Sequence, residues 1–196
     1  VWDVDGSPYI AVGDIVIQRD DRLVIEPGVE VRFQQPFYLL VNGLFIAVGA
    51  EDDSITFTWD REDERWRGIR FVDADDGSQI SYAIIEYAET IGEYDQVNAR
   101  GGGIACFRTD ALFSRNTIRH NTSAGRTAGI YTEDCDANIL FNHVYGNIAN
   151  TNGAVEAENS NGDISFNVVE GNRSQHGGGM LFYEGAPTIE YNIIRN

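Results

Sequence analysis

Two tryptophans bracket the most densely charged stretch of the chain, WDREDERWRG from Trp59 to Gly68. Trp59 or Trp66, exposed beside acids and arginines, could hold a sugar ring by stacking on its face; turned inward, either would cap a core at a corner. A second charged stretch, ETIGEYDQVNARGG, offers Glu89, Glu93, Tyr94, Asp95 and Arg100 for contact with a ligand from a loop. In DADDGS, Asp73, Asp75 and Asp76 are closely spaced oxygen ligands of the kind that can wrap Ca²⁺. No Glu stands at the distance an EF-hand requires and no GGxGxD nonapeptide occurs, so an ordinary acidic turn competes with that reading, as it does for DVDG at Asp3 to Gly6.

The elements that must position these residues follow from a repeat. Asn116, Asn142, Asn167 and Asn192 head near-copies of one phrase, spaced 26, 25 and 25 residues apart, and Ala83 and Thr58 extend the frame backwards by 33 and 25. A fixed period of this size signals a stacked solenoid. Three residues before each anchor stand Ile55, Ile80, Phe113, Ile139, Ile164 and Ile189; one before stand Phe57, Tyr82, Arg115, Phe141, Phe166 and Tyr191; two after stand Asp60, Ile85, Ile118, Val144, Val169 and Ile194. The first two columns alternate as one strand face would, which predicts that both point inward, and the third turns inward again beyond a bend at the anchor. A glycine column, Gly68, Gly103, Gly129, Gly153 and Gly179, opens another strand in each turn. Asn at a bend can hydrogen-bond the backbone of adjacent turns, so Asn116, Asn142, Asn167 and Asn192 are predicted to form one inward ladder and Asn121, Asn147 and Asn172 a second. The sequons at Asn121 (NTS) and Asn172 (NRS) fall on that ladder, where glycosylation and an inward side chain exclude each other.

The phrase I-x-F/Y-N-x-I/V-x-x-N with its Gly-Gly-Ile strand start resembles the right-handed parallel β-helix repeat family, the pectate-lyase-like solenoids. LVIEPGVEVRF, LLVNGLFIAVGAEDDSITFTW and RWRGIRF resemble the opening of secreted bacterial members. The resemblance covers essentially the whole chain and implies an all-β, single-stranded right-handed parallel β-helix of about seven to eight turns with ~25 residues each. It implies little about activity, because this scaffold carries lyases, hydrolases, epimerases, adhesins and structural solenoids. The 196 residues form a single domain in this reading. Residues 1–50 are the N-terminal cap and first turns, with Trp2 over the first rung; residues 51–196 are regular repeats, interrupted by an insertion at about 89–100.

The columns bear on chemistry as well. Three residues after the anchor stand Arg61, Glu86, Arg119, Tyr145, Glu170 and Arg195, which alternate in sign instead of pairing two acids as a glycosidase would. Salt bridges between neighbouring turns are expected there, with Arg119 and Tyr145 as candidate contacts for a charged polysaccharide. His120, His143 and His176 fall at different offsets from their anchors, so they do not converge on a metal. All 14 basic residues are Arg, which excludes a lysine base or Schiff base. The formal charge of −17 argues against nucleic acid, and no apolar run approaches the ~20 residues that span a bilayer. Glu156 breaks the pattern of its strand, and a one-residue shift that points it outward is the expected account. Cys106 and Cys135 lie three residues apart in the frame, about 10 Å along a straight strand, beyond disulfide reach; both are expected to be free and buried.

The chain starts without Met and stops mid-turn at Asn196, just beyond Ile193 and Ile194, which reads as part of a longer protein or of an assembly stacked head to tail. The function expected is a non-catalytic structural or adhesive solenoid, extracellular or on a cell surface. The alternative is a carbohydrate-active module that binds or cleaves an acidic polysaccharide. No cofactor is called for, except for the Ca²⁺ that the acidic turn admits.

Overall fold

The computed structural model describes residues 1–61, 65–92 and 99–196; Glu93, Tyr94 and Asp95 of the insertion lie outside the described residues. β-Branched and aromatic residues come in short runs punctuated by Gly, Asn and Asp, which favours strands too short to be stable alone but able to stack. The first sheet stacks Tyr9–Ala11, Glu30–Phe33, Ile55–Trp59, Ala83–Glu86, Thr117–Arg119, His143–Tyr145, Val168–Glu170 and Ile193–Arg195. The second stacks Ile15–Ile17, Leu39–Val41, Ile69–Val72, Ile104–Phe107, Ile130–Glu133, Val155–Glu158 and Met180–Tyr183. The third stacks Arg22–Ile25, Leu44–Val48, Gln79–Ser81, Leu112–Ser114, Asn138–Leu140, Asp163–Ser165 and Thr188–Glu190. A short fourth sheet joins Glu89–Thr90, Thr122–Ser123 and Ile148–Ala149. The strand pairing within each sheet is parallel, and the molecule is an all-β parallel solenoid of about seven turns. From Ile104 onward the second sheet advances by 26 and then 25 residues per turn, to Ile130 and Val155; the longest step, 35 residues from Ile69 to Ile104, contains the insertion.

Apolar residues recur along each interior column. Phe57, Ile85, Ile118, Val144 and Val169 line the first sheet, and Ala47, Ile80, Phe113, Ile139 and Ile164 the third, all buried in a single core. Full burial of a large apolar side chain stabilises by about 1.5–3 kcal/mol relative to exposure. The N-terminal segment closes the first rung. Trp2 bonds through its backbone to Val24 and Glu26 and stacks on Tyr9 with ring centroids 4.6 Å apart.

Both asparagine ladders form as expected. Asn116 Oδ1 accepts from the Ala83 N–H at 2.9 Å, and its Nδ2 donates to the Ile80 carbonyl at 2.9 Å. Asn142, Asn167 and Asn192 repeat both bonds one rung further each time. Asn121, Asn147 and Asn172 do the same at the next bend. Asn121 is fully buried, which leaves its sequon inaccessible in the folded chain.

Two columns differ from the expectation. The residues one before the anchor, Tyr82, Arg115, Phe141, Phe166 and Tyr191, have φ between 51° and 60° and point outward. A left-handed residue breaks the two-residue alternation, so the position that a straight strand would turn inward is swung to the surface. Left-handed geometry costs an L-residue roughly 1–2 kcal/mol, offset here by the ladder bonds and by stacking: Phe141 lies 4.7 Å from Phe166, and Phe166 4.9 Å from Tyr191. The frame also slips before Ala83. Ala83 pairs with Ile55 and not with Thr58, because the chain enters that strand through a tight turn in which Ala50 bridges Asp53. Phe57 therefore occupies the buried column assigned to Asp60, and Thr58 stands beside Glu86, to which its hydroxyl bonds at 3.1 Å.

Candidate functional site

The outer face of the first sheet gathers several of the expected residues. Glu86, Arg119, Tyr145, Glu170 and Arg195 stack in register. Arg119 donates to Glu86 at 2.7 Å and to the Tyr145 hydroxyl at 3.0 Å, and Arg195 donates to Glu170 at 2.6 Å. His143 Nε2 lies 2.7 Å from the other oxygen of Glu170. Burial works against the Arg119 charge, but its bonds to Tyr145 and Glu86 outweigh it and raise the pKa. Arg195 and His143 hold Glu170 below the usual carboxylate range. Beside this column, Trp59 stacks on Tyr87 at 4.5 Å and Tyr87 on His120 at 5.7 Å, with the Arg65 guanidinium 5.3 Å above the Trp59 ring. Trp59, Arg119 and Tyr145 thus share one face.

Trp66 does not join them. It is fully buried, stacks on Phe33 at 4.4 Å and donates its indole N–H to the Glu86 carbonyl at 2.8 Å, so it is a core residue and not a ligand contact. The three aspartates of the acidic turn do not converge either. Asp73 forms a forked pair with Arg108 at 2.7 and 2.8 Å, which lowers its pKa, while Asp75 accepts from Gly77 N–H and Asp76 from Asp110 N–H. Among the described residues no group of three His, Cys, Asp or Glu side chains is placed to hold a metal ion.

Arg100 belongs to a different cluster, on the outer face of the second sheet. Here the strands Ile104–Phe107, Ile130–Glu133 and Val155–Glu158 are buried on both faces, because segments 99–103, 124–129 and 150–154 fold over them. Gly102 permits this close approach; a Cβ there would lie 2.5 Å from the Ala128 carbonyl oxygen. Glu156 is the centre of the cluster. The one-residue shift expected for its strand is present: Ala154, not Gly153, aligns with Gly129, and Glu156 pairs with Tyr131 and Leu181. Its side chain points away from the core, yet it is completely buried under the overlying segments. Arg126 and Thr127 bond its carboxylate, and Asn152 Nδ2 reaches both of its oxygens at 3.0 and 3.1 Å. Arg126 also pairs with Glu158 at 2.7 Å, and Arg100 with Glu133.

Tyr131 lies between these pairs. Its hydroxyl accepts from Arg100 at 3.0 Å and lies 2.8 Å from Glu133 and 2.7 Å from Glu158. One hydroxyl proton serves two carboxylates, so it can satisfy only one at a time. Burial first, and then the bonds to both glutamates, push the Tyr131 pKa far up; burial opposes the charge of Arg126, but Glu156 and Glu158 outweigh it and raise its pKa. The chemistry available to the cluster is that of a clasp, which pins the covering segments to the sheet. Arg126, Tyr131, Glu133, Asn152 and Glu158 were not singled out in the sequence, although the spacing of 25 residues between Glu133 and Glu158 is the signal that marks them as neighbours.

Arg70 sits in the same outward column of this sheet, and among the described residues no carboxylate pairs with it. Its Nη1 donates to the carbonyls of Ile69 and Gly101 at 3.1 and 2.6 Å, while Nε and Nη2 are buried without a partner, and desolvation lowers its pKa to about 10. A buried, uncompensated charge is a net cost, which an apolar residue of similar length avoids. Arg70→Met is therefore expected to raise stability by about 1–3 kcal/mol, after allowance for the two lost carbonyl bonds. A urea midpoint unchanged or lower than that of the native chain would contradict this.

Fold and site together define a parallel β-solenoid with one ion-paired outer face and one face closed by a polar clasp. No protein-family model and no solved structure matches the chain. Over 76 residues, 34% of the chain, it is 36% identical to Protein bark beetle of Drosophila melanogaster. That match spans 2% of the relative's length.

Proposed function

We propose that the chain is a pectate-lyase-like β-solenoid module with a non-catalytic, structural or adhesive role in an extracellular or cell-surface protein. The observation that carries this reading is the engagement of charged side chains with one another from rung to rung: Glu86 with Arg119, Glu170 with Arg195, Glu156 with Arg126. A catalytic acid or base needs a free path to substrate, whereas Glu156 and Arg126 are enclosed and the outer acids are held by arginines. Such pairing favours a rigid scaffold.

Polysaccharide binding is the second reading, favoured by the stacked Trp59, Tyr87 and His120 rings beside Arg119 and Tyr145. An acidic sugar chain would meet cationic and aromatic groups together there. Both readings are tested by incubating the chain with alginate, pectate and related polymers, with and without Ca²⁺, and by screening a glycan array. The scaffold reading expects no new unsaturated ends absorbing in the near ultraviolet. Their appearance would overturn it in favour of a lyase, and array binding without turnover, lost in Trp59→Ala, would establish the adhesive role.

A further inference from the structure

We propose that Cys106 and Cys135 are a disulfide-forming pair that cross-links two consecutive rungs when the chain folds under oxidising conditions. The straight-strand estimate that separates them does not hold, because the chain is not straight between the two columns. Cys106 projects inward from the strand Ile104–Phe107, beside Thr132 of the next rung. Three residues beyond Thr132, the chain has passed through Asp134 at φ 54°, which turns it around the corner and returns the Cys135 side chain to the interior. The two sulfur atoms lie 3.5 Å apart, both buried. Bonding requires them to close to about 2.05 Å. The surrounding corner contains the small side chains of Thr109, Thr132, Ala157 and Ser160.

The chemistry is two-step thiol–disulfide exchange with a low-molecular-weight disulfide such as oxidised glutathione. The thiolate of either cysteine attacks one sulfur of that disulfide and expels a thiolate, leaving a mixed disulfide on that cysteine. The other cysteine then loses its proton to solvent or to the departing thiolate, attacks the sulfur of the first and displaces the small thiol as a thiolate. Two protein thiols are oxidised by two electrons and one small disulfide is reduced to two thiols. In the folded chain burial pushes the Cys106 thiol up, whereas the hydrogen bond shared with Cys106 holds Cys135 down. Thr109 N–H also donates to the Cys135 sulfur, at 3.4 Å. Because both sulfurs are enclosed in the folded chain, exchange takes place while the corner is open, during folding.

The test is refolding from urea in oxidised glutathione and, separately, in reduced glutathione. Free thiols are then counted with Ellman's reagent in denaturant, intact mass is measured, and thermal midpoints are compared. The oxidised sample is expected to show no free thiol, a mass lower by two hydrogen atoms, and a midpoint higher by roughly 10 °C, all reversed by dithiothreitol after unfolding. Cys106→Ser and Cys135→Ser, each verified to retain β circular dichroism, should show no such gain in midpoint. Two free thiols after oxidative refolding, glutathione adducts on both cysteines, a bond between two chains, or an intramolecular bond that lowers the midpoint would each overturn the proposal.

Discussion

Glu156→Leu is expected to lower stability by about 3–5 kcal/mol, the range for removing one partner of a buried ion pair. The carboxylate is completely enclosed and receives bonds from Arg126, Thr127 and Asn152. Its loss removes one of the carboxylates paired with Arg126, leaving Glu158 among the described residues, and leaves the Asn152 amide facing leucine methyls. The covering segments 124–129 and 150–154 are anchored by these bonds, so they should also exchange backbone hydrogens faster. The double variant Arg126→Met with Glu156→Leu removes charge and counter-charge together and should recover most of the loss, since apolar replacement of a whole buried pair is often neutral. Urea unfolding of the four chains reads the coupling. A single variant within about 0.5 kcal/mol of the native chain, the range of ordinary surface substitutions, would mean that the clasp contributes nothing.

The second large effect is expected at Asn142. Its side chain satisfies two buried backbone groups of the preceding rung, the Asn116 N–H and the Phe113 carbonyl. Asn142→Ala leaves both without a partner and opens no path for water, at roughly 1–3 kcal/mol for each group, or about 2–6 kcal/mol together. Asn142→Asp is a sharper probe. It keeps an acceptor for Asn116 but sets a carboxylate against the Phe113 carbonyl, so it should be no better than alanine at neutral pH. Asn192→Ala should cost less, because Asn192 is only half-buried and water can replace its bonds. Equal losses at Asn142 and Asn192, or no loss at Asn142, would show that the ladder does not carry the stability assigned to it.

Much of this was legible in the sequence where one residue type does one job in every turn. Asn116 through Asn192 keep their spacing because each amide accepts from an N–H and donates to a carbonyl at the same bend, and the Glu86–Arg119–Tyr145 column followed directly from it. Other features were hidden for separate physical reasons. The outward swing of Phe141 and Phe166 depends on left-handed backbone at a bulky residue, which pattern reasoning treats as an exception. The slip at Thr58 came from a turn of a different kind, at Ala50 to Asp53. Glu156 was correctly expected to point away from the core, but its burial depends on Arg126 and Thr127 of the preceding turn as well as Asn152 of its own, a fact no single repeat contains. Cys106 and Cys135 are free and buried as expected, but their approach to 3.5 Å was missed because distance along the chain was taken for distance through space.

The ladders also have a direction. Each asparagine side chain reaches back to the turn before it, to an N–H and a carbonyl such as those of Ala83 and Ile80, while its own N–H awaits the asparagine of the turn that follows. A nascent chain leaving the ribosome therefore finds the partners for each new coil already laid down, and assembly can proceed vectorially from the amino end without waiting for distant sequence to be made.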